Sequence, residues 1–321
     1  MTDHERMSDR LVDIVVTPGS GEGRALGLAR RLRRLVRRRG RRAIIRAFDD
    51  LSALVRWAET DHCESSHVVC VGGDGTLSCA ARAAMRCNVP LVPVPTGFGN
   101  IFATVFRHPR RAKHVVHLLE RGEARRVDVG VVTTPTGDDV FLSHRSYGLL
   151  EQVQTLAEHG RQQPRRRVLR YLWYWSVAYR FLFRERLASF SVEVDDRLVH
   201  TDAVLVTAAN VETYHGFLSL TPTASPIDGL LDVAVIPRVS TPRLLWRLAR
   251  LLLKTPGRWN GLSLYRGRRV VVTTPRRREV LTVRRRALPL LVPPGAVEAL
   301  AARTVPDAPT PEQSGAVSRA G

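Results

Sequence analysis

Apolar and polar positions alternate in blocks along the first 132 residues. Leu11 to Val16 is an apolar run that breaks at Pro18-Gly19-Ser20-Gly21, and the Leu- and Arg-rich stretch from about Gly23 to Arg38 then carries helical spacing. Further apolar runs predict strands at Ala43 to Phe48, Val68 to Val71 and Pro90 to Val94, with helices at Leu51 to Ala58 and Thr76 to Met85. Short strands apolar throughout, separated by helix-period segments, indicate a parallel sheet covered on both faces. Residues 11–130 are therefore expected to form a doubly wound α/β domain of the Rossmann-like class.

The second half changes character. One strongly aromatic helical stretch, Val168 to Phe183, is followed by period-two runs at Phe190 to Val194, Ala203 to Thr207, Leu231 to Val235 and Val270 to Thr274. Clustered strands with few helices between them predict an antiparallel β-sandwich or barrel over residues 131–302, with a helix at about Thr241 to Leu253 packed on it. The last residues of this domain are expected to pack back on the first. Residues 1–10 are polar and residues 303–321 are rich in Pro, Ser, Gly and Ala, so both ends are expected to be disordered.

Composition narrows the class of partner. With 44% hydrophobic residues in 321, the chain can bury a sizeable core, which excludes a wholly disordered protein. The formal net charge is +20, and Lys113 and Lys254 are the only lysines, so the positive charge is almost all guanidinium. Anionic partners follow: phosphates, acidic lipid surfaces or nucleic acid. Arg30 to Arg42 puts a basic face beside the Leu26, Leu32 and Leu35 stripe, either a solvated face or a surface for acidic lipid or nucleic acid. Arg161, Arg165, Arg166, Arg167 and Arg170 precede Tyr171-Leu172-Trp173-Tyr174-Trp175, a combination that suits a helix lying among anionic headgroups, or equally core packing of the same rings.

Cys63, Cys70, Cys79 and Cys87 form no CxxC pair and have no His at zinc spacing, so they are expected to be reduced thiols used for packing. No apolar leader segment opens the chain, and no run of 18 apolar residues occurs. The expectation is a cytoplasmic protein.

The chemistry lies in Val68-Val69-Cys70-Val71-Gly72-Gly73-Asp74-Gly75-Thr76-Leu77. A buried strand runs into three glycines and then a helix, so backbone N–H groups can approach an anion at the positive end of that helix. No Gly-Lys dipeptide exists for a Walker A loop, and Ser78 stands where a dinucleotide fingerprint needs its third glycine. Asp74 could reach a magnesium ion, a water or a substrate hydroxyl, or act as a plain helix N-cap.

Gly72-Gly73-Asp74-Gly75-Thr76 resembles the nucleotide-binding motif of the diacylglycerol kinase catalytic domain family, which includes bacterial lipid kinases and sphingosine kinases. Pro93-Val94-Pro95-Thr96-Gly97-Phe98-Gly99-Asn100 is similar to that family's Pro-x-Gly-Thr-x-Asn segment, and Arg126-Val127-Asp128-Val129-Gly130 to its Asp-x-Gly strand. Ala224 to Asp232 resembles its Ala-x-x-x-Asp-Gly-x-Leu-Asp element, and Thr17-Pro18-Gly19-Ser20-Gly21 its opening turn. The likeness runs in order over about residues 11 to 302.

The resemblance implies a two-domain kinase that binds ATP and Mg²⁺ in a cleft and phosphorylates a hydroxyl of a diacylglycerol-like or sphingoid-like lipid. It implies nucleotide contacts from Gly72, Gly73, Gly75, Thr76, Gly97, Asn100 and Ser20. Asp74 and Asp128 are implied in a metal or water network, and Asp228 with Asp232 in a structural metal position or an interdomain contact. A plain turn before a strand is the alternative for Asp228. Its partners would be the lipid, an anionic membrane surface bound peripherally, and a second copy in a homodimer, not nucleic acid, for which no recognition motif is present.

Three departures bear on activity. Phe98 replaces a Thr of the family, Ile101 an Asp, and Arg284-Arg285-Arg286 stand where bacterial members carry Asp-Gly-Glu with the proposed general base. A guanidinium cannot accept a proton. Asp74 is left as the candidate catalytic base, and a non-catalytic nucleotide- or lipid-binding relative is the alternative.

Overall fold

The computed structural model describes residues 11–17, 23–60, 63–97, 99–134, 137–148, 189–212, 214–215, 218–238, 262–274 and 277–302. The aromatic stretch Val168 to Phe183, its preceding arginines, the helix expected at Thr241 to Leu253, Ser20 and Phe98 lie outside them.

The chain opens with β1 (Leu11–Val16), α1 (Arg24–Arg38), β2 (Ala43–Ala47), α2 (Leu51–Glu59), β3 (Ser65–Gly72), α3 (Asp74–Arg86) and β4 (Leu91–Pro95). The four strands are parallel in the order β4-β3-β1-β2. Their side chains alternate between two cores, as the pleat requires. Val12, Ile14 and Val16, with Val69, Val71, Val92 and Val94, face one side, and Val15, Val68, Cys70 and Leu91 face the other. Because both faces are apolar, both must be covered. On the first face α1 buries Ala25, Ala29, Leu32 and Val36, spaced four, three and four apart, and keeps its arginines outward. Asp50 caps α2 by accepting the Ala53 N–H at 2.7 Å, and α2 and α3 cover the second face with Leu54, Leu77, Ala80, Ala81 and Ala84.

After β4 come the short α4 (Ile101–Val105), α5 (Ala112–Arg121) on the α1 face, and then strands: β5 (Glu123–Thr134), β6 (Gly137–Phe141), β7 (His144–Gly148), β8 (Phe190–Val194) and β9 (Arg197–Ala209). A two-residue pair, β10 (Tyr214–His215) and β11 (Leu218–Ser219), precedes β12 (Leu231–Pro237), β13 (Ser263–Gly267), β14 (Arg269–Thr273), β15 (Arg278–Val292) and α6 (Ala296–Ala301). These later strands pair antiparallel and form two layers. The 13-residue β9 links the layers, its first half pairing β8 and its second half β12 and β7. Between them lies a core that includes Tyr147, Phe190, Val192, Val206, Val233, Val270 and Leu281.

β15 joins the two halves of the molecule. Its first residues pair β14 and β5, a bulge interrupts the β5 pairing between Arg284 and Leu288, and Leu290 then pairs with Leu91 of the parallel sheet. Beyond it, Ala296, Val297 and Leu300 of α6 pack on the core under α3.

The cysteine expectation needs correction. Cys63, just before β3, is disulfide-bonded to Cys87, the C-cap of α3, with Cα atoms 4.9 Å apart, while Cys70 and Cys79 remain thiols. β3 and α3 run in opposite directions, so the entry to one and the exit of the other meet at the same edge of the sheet. That proximity is tertiary and leaves no spacing pattern in the sequence. No helix among the described residues is long and apolar enough to cross a membrane.

Candidate functional site

The glycine turn leaves β3 at Gly72 and enters α3 at Asp74, with Gly73 as the N-cap residue in extended conformation and no side-chain cap. The first N–H groups of α3 therefore point out of the turn, at the positive end of the helix dipole. Three close approaches hold this arrangement. A Cβ on Gly72 would lie 2.7 Å from Cβ of Thr76, and one on Gly97 would lie 3.0 Å from Cα of Gly73. The hydroxyls of Thr17 and Thr76 are 2.8 Å apart and buried, tying the end of β1 to the first turn of α3.

The second glycine segment lies directly against the first. The Thr96 N–H donates to the Gly72 carbonyl at 3.1 Å. Asn100 adopts the left-handed conformation, φ 47°, and its side chain closes the turn on Gly97: Oδ1 accepts the Gly97 N–H at 3.1 Å and Nδ2 donates to the Gly97 carbonyl. The Thr96 hydroxyl is buried here and has no hydrogen-bond partner among the described residues. Gly72, Gly73, Asp74, Pro95 and Asn100 enclose only about 10 Å³, room for about one water. Triphosphate oxygens would have to lie across this lining rather than inside it.

Asp74 does not cap its own helix. Its carboxylate accepts the Ile101 N–H at 3.1 Å and the Phe102 N–H at 3.3 Å, and so serves the N-terminus of α4. Gly99 permits the approach, since a Cβ there would lie 3.1 Å from Asp74 Oδ2. Burial pushes the Asp74 carboxyl above the usual carboxylate range, and the backbone N–H groups it accepts pull the other way. Ile101, which replaces a carboxylate of the related motif, contributes through this N–H, which any residue but proline supplies.

The structure thus gathers Gly72, Gly73, Asp74, Gly75, Thr76, Gly97 and Asn100 in one place. Asp128 stands apart from them. It sits on β5 opposite the bulge between Arg284 and Leu288, beyond Leu290, which is level with Leu91 at the start of β4. Gly72 and Pro95 end β3 and β4 at the other edge. Arg126 confirms the placement by donating to Asn88, in the turn before β4. Buried Asp128 accepts the Gly229 and Arg286 N–H groups, each at 2.7 Å.

Asp228 and Asp232 share one cation. Arg266 donates from Nη2 to Asp228 at 2.5 Å and from Nε to Asp232 at 2.8 Å. Burial raises the Asp228 carboxyl to about 6, against the Leu230 N–H and Arg266. Among the described residues no three His, Cys, Asp or Glu side chains form a group that could hold a metal ion. Arg284 is paired with Asp138 at 2.5 Å, and Arg286 takes φ 48° to deliver its N–H to Asp128. Sequence reasoning missed the Thr17–Thr76 bridge, the α4 N-terminus and Arg266. All three depend on pairings between distant segments, for which a single sequence carries no signal.

Two family models match in adjacent stretches: the diacylglycerol kinase catalytic domain over residues 12–132, and the YegS C-terminal NAD kinase beta sandwich-like domain over residues 146–285. A diacylglycerol kinase of Mycobacterium tuberculosis is 27% identical over 186 residues, 56% of this chain and 57% of that one. A "Probable lipid kinase YegS-like" protein of Pseudomonas putida is 30% identical over 181 residues, 54% of this chain and 56% of that one. The matches thus span little more than half the length of these relatives. A crystal structure of a diacylglycerol kinase from Bacillus anthracis superposes with a TM-score of 0.64, covering 90% of this chain and 98% of that one at 15% identity, which establishes a shared fold.

Proposed function

The chain belongs to the diacylglycerol kinase catalytic domain family, and on that premise we propose that it transfers a phosphoryl group from ATP to a hydroxyl of a diacylglycerol-like or sphingoid-like lipid. The observation that carries the reading is the contact of the two glycine segments at the start of α3, where a Cβ on Gly97 would lie 3.0 Å from Gly73. Bare backbone at a helix N-terminus is what phosphate oxygens need. On this reading residues 11–130 bind the nucleotide and residues 131–302 the lipid.

Gly73, Gly75 and Thr76 present N–H donors to the phosphates, Gly97 and Asn100 shape the opposite wall, and the segment holding Ser20 follows Thr17, itself joined to Thr76. The Thr96 hydroxyl, which has no partner among the described residues, is a further donor for a phosphate oxygen. Phosphoryl transfer needs alignment and charge neutralisation more than covalent chemistry. A magnesium ion bound with the nucleotide would supply part of that neutralisation, and Asp74 is the carboxylate of the turn that would face it. Burial raises the Asp74 carboxyl above the usual carboxylate range, which makes its carboxylate a stronger proton acceptor than an exposed one and supports it as the base for the lipid hydroxyl. The +20 charge favours reversible association with anionic membrane surfaces from the cytoplasm, where the lipid substrate is presented.

The test offers labelled ATP and a total lipid extract to the purified protein and identifies the labelled product, with calorimetry of ATP binding in parallel. A labelled lipid phosphate is expected. Binding without any labelled lipid would favour a non-catalytic nucleotide-binding relative, and absence of binding at millimolar ATP would remove the nucleotide site.

A further inference from the structure

The family resemblance implies a structural metal position or an interdomain contact at Asp228 and Asp232, and the donor set at these residues does not suit the metal. Asp228 Oδ1 accepts the Leu230 N–H at 2.9 Å and Oδ2 accepts Arg266 Nη2 at 2.5 Å. Asp232 Oδ1 accepts Arg266 Nε at 2.8 Å, and Oδ2 accepts the Thr223 hydroxyl. The neighbouring Asp128 gives both oxygens to the Gly229 and Arg286 N–H groups. All six carboxylate oxygens therefore have protein donors, and a fixed positive charge already bridges the two carboxylates of the loop.

The bridge is built into the sheet. Asp232 on β12 and Arg266 on β13 are directly opposed in the antiparallel register, so their side chains project from the same face at cross-strand distance. Asp228 is four residues earlier in the turn that feeds β12 and reaches the other edge of the same guanidinium. A planar fork with several N–H donors suits two carboxylates at once, whereas a divalent ion needs a shell of oxygens left free of other donors. Asp232 is 3% exposed and the Arg266 side chain 29%, so this is a partly buried ion triad in which loss of the cation leaves uncompensated charge.

We propose that the Arg266 guanidinium takes the place of a divalent cation at the Asp228–Asp232 pair, so that the loop feeding β12 is held without metal. The claim does not depend on kinase activity, and its test uses neither nucleotide nor lipid. Thermal unfolding of the full chain is followed in EDTA and in millimolar MgCl₂ or CaCl₂. The wild type is expected to show no cation response that Asp228→Asn alters. Arg266→Met, which keeps the stem and deletes the charge, is expected to melt roughly 5 °C lower in EDTA and to recover with added cation. Arg266→Lys, which keeps a positive charge, should fold and remain indifferent to cation, so the comparison survives if the Met variant fails to fold. A rise in wild-type melting temperature on adding Mg²⁺ or Ca²⁺ that Asp228→Asn abolishes would overturn the proposal. So would a folded Arg266→Met that ignores both cations. A wild-type response left intact by Asp228→Asn arises elsewhere and agrees with it.

Discussion

Asp74, the first residue of α3, accepts the N–H of Ile101, the first residue of α4, at 3.1 Å. The carboxylate expected to serve the nucleotide thus also anchors the helix that follows the second glycine segment, so chemistry and local fold are coupled at one side chain. Asp74→Asn keeps the size and leaves one oxygen for two N–H donors. Phosphoryl transfer should fall on the order of 10²-fold or more, with unchanged far-ultraviolet circular dichroism. Turnover within a few-fold of wild type would remove Asp74 from the catalytic role.

Gly97→Ala tests the close approach of the two turns. The new methyl would lie 3.0 Å from Gly73 Cα and 3.3 Å from Asn100 Oδ1, contacts that backbone cannot easily relieve. Overpacking of this kind costs about 1–3 kcal/mol, and ATP binding should weaken with it. Gly27→Ala is the control: it is exposed within α1, has nothing within 4 Å of the added Cβ, and should stabilise the protein by about 0.5–1 kcal/mol. Chemical denaturation of both variants, read beside calorimetry, checks the contrast.

Acid should destabilise the protein through two buried histidines, opposed in part by the raised carboxyls of Asp228 and Asp74, which the folded state protonates first. His67, buried between Ser66 and Arg41, and His108, whose Nε2 meets the Leu291 carbonyl at 2.9 Å, are both depressed to about 4, chiefly by burial. Unfolded imidazoles take up protons near pH 6.5, while the folded ones stay neutral down to about 4. The unfolded state therefore binds more protons in that window, and stability is lost as pH falls through it, by roughly 3 kcal/mol per histidine at most. Denaturation midpoints from pH 7.5 to 4.5 measure the slope, and His108→Gln should flatten it. An unchanged slope in that variant would contradict the assignment.

The Cys63–Cys87 bond, spanning a sequence separation of 24, closes a loop that contains all of β3 and all of α3. Reduction, or the paired Cys63→Ser and Cys87→Ser change, should cost about 3 kcal/mol through the freed unfolded chain. The thermal midpoint should drop on adding reductant in the wild type and not in the double variant. Alkylation and mass spectrometry of the unreduced protein should find two free thiols, Cys70 and Cys79.

Periodicity is a local property, and what depended on it was legible in the residues. Leu11–Val16 and Phe190–Val194 are strands with the predicted bounds, and the helix at Arg24–Arg38 begins one residue inside its expected start. The same holds for the glycine turn, because Gly72-Gly73-Asp74-Gly75-Thr76 is contiguous and a strand meets a helix there. Tertiary structure alone decided which side chains meet. It paired Cys63 with Cys87, set Arg266 opposite Asp232 by strand register, gave the Asp74 carboxylate to α4, and carried Asp128 to the opposite edge of the sheet from Gly72. Each of these depends on how segments far apart in the chain are laid side by side. A single residue of register moves a side chain to the other face, and no spacing along one chain records that choice.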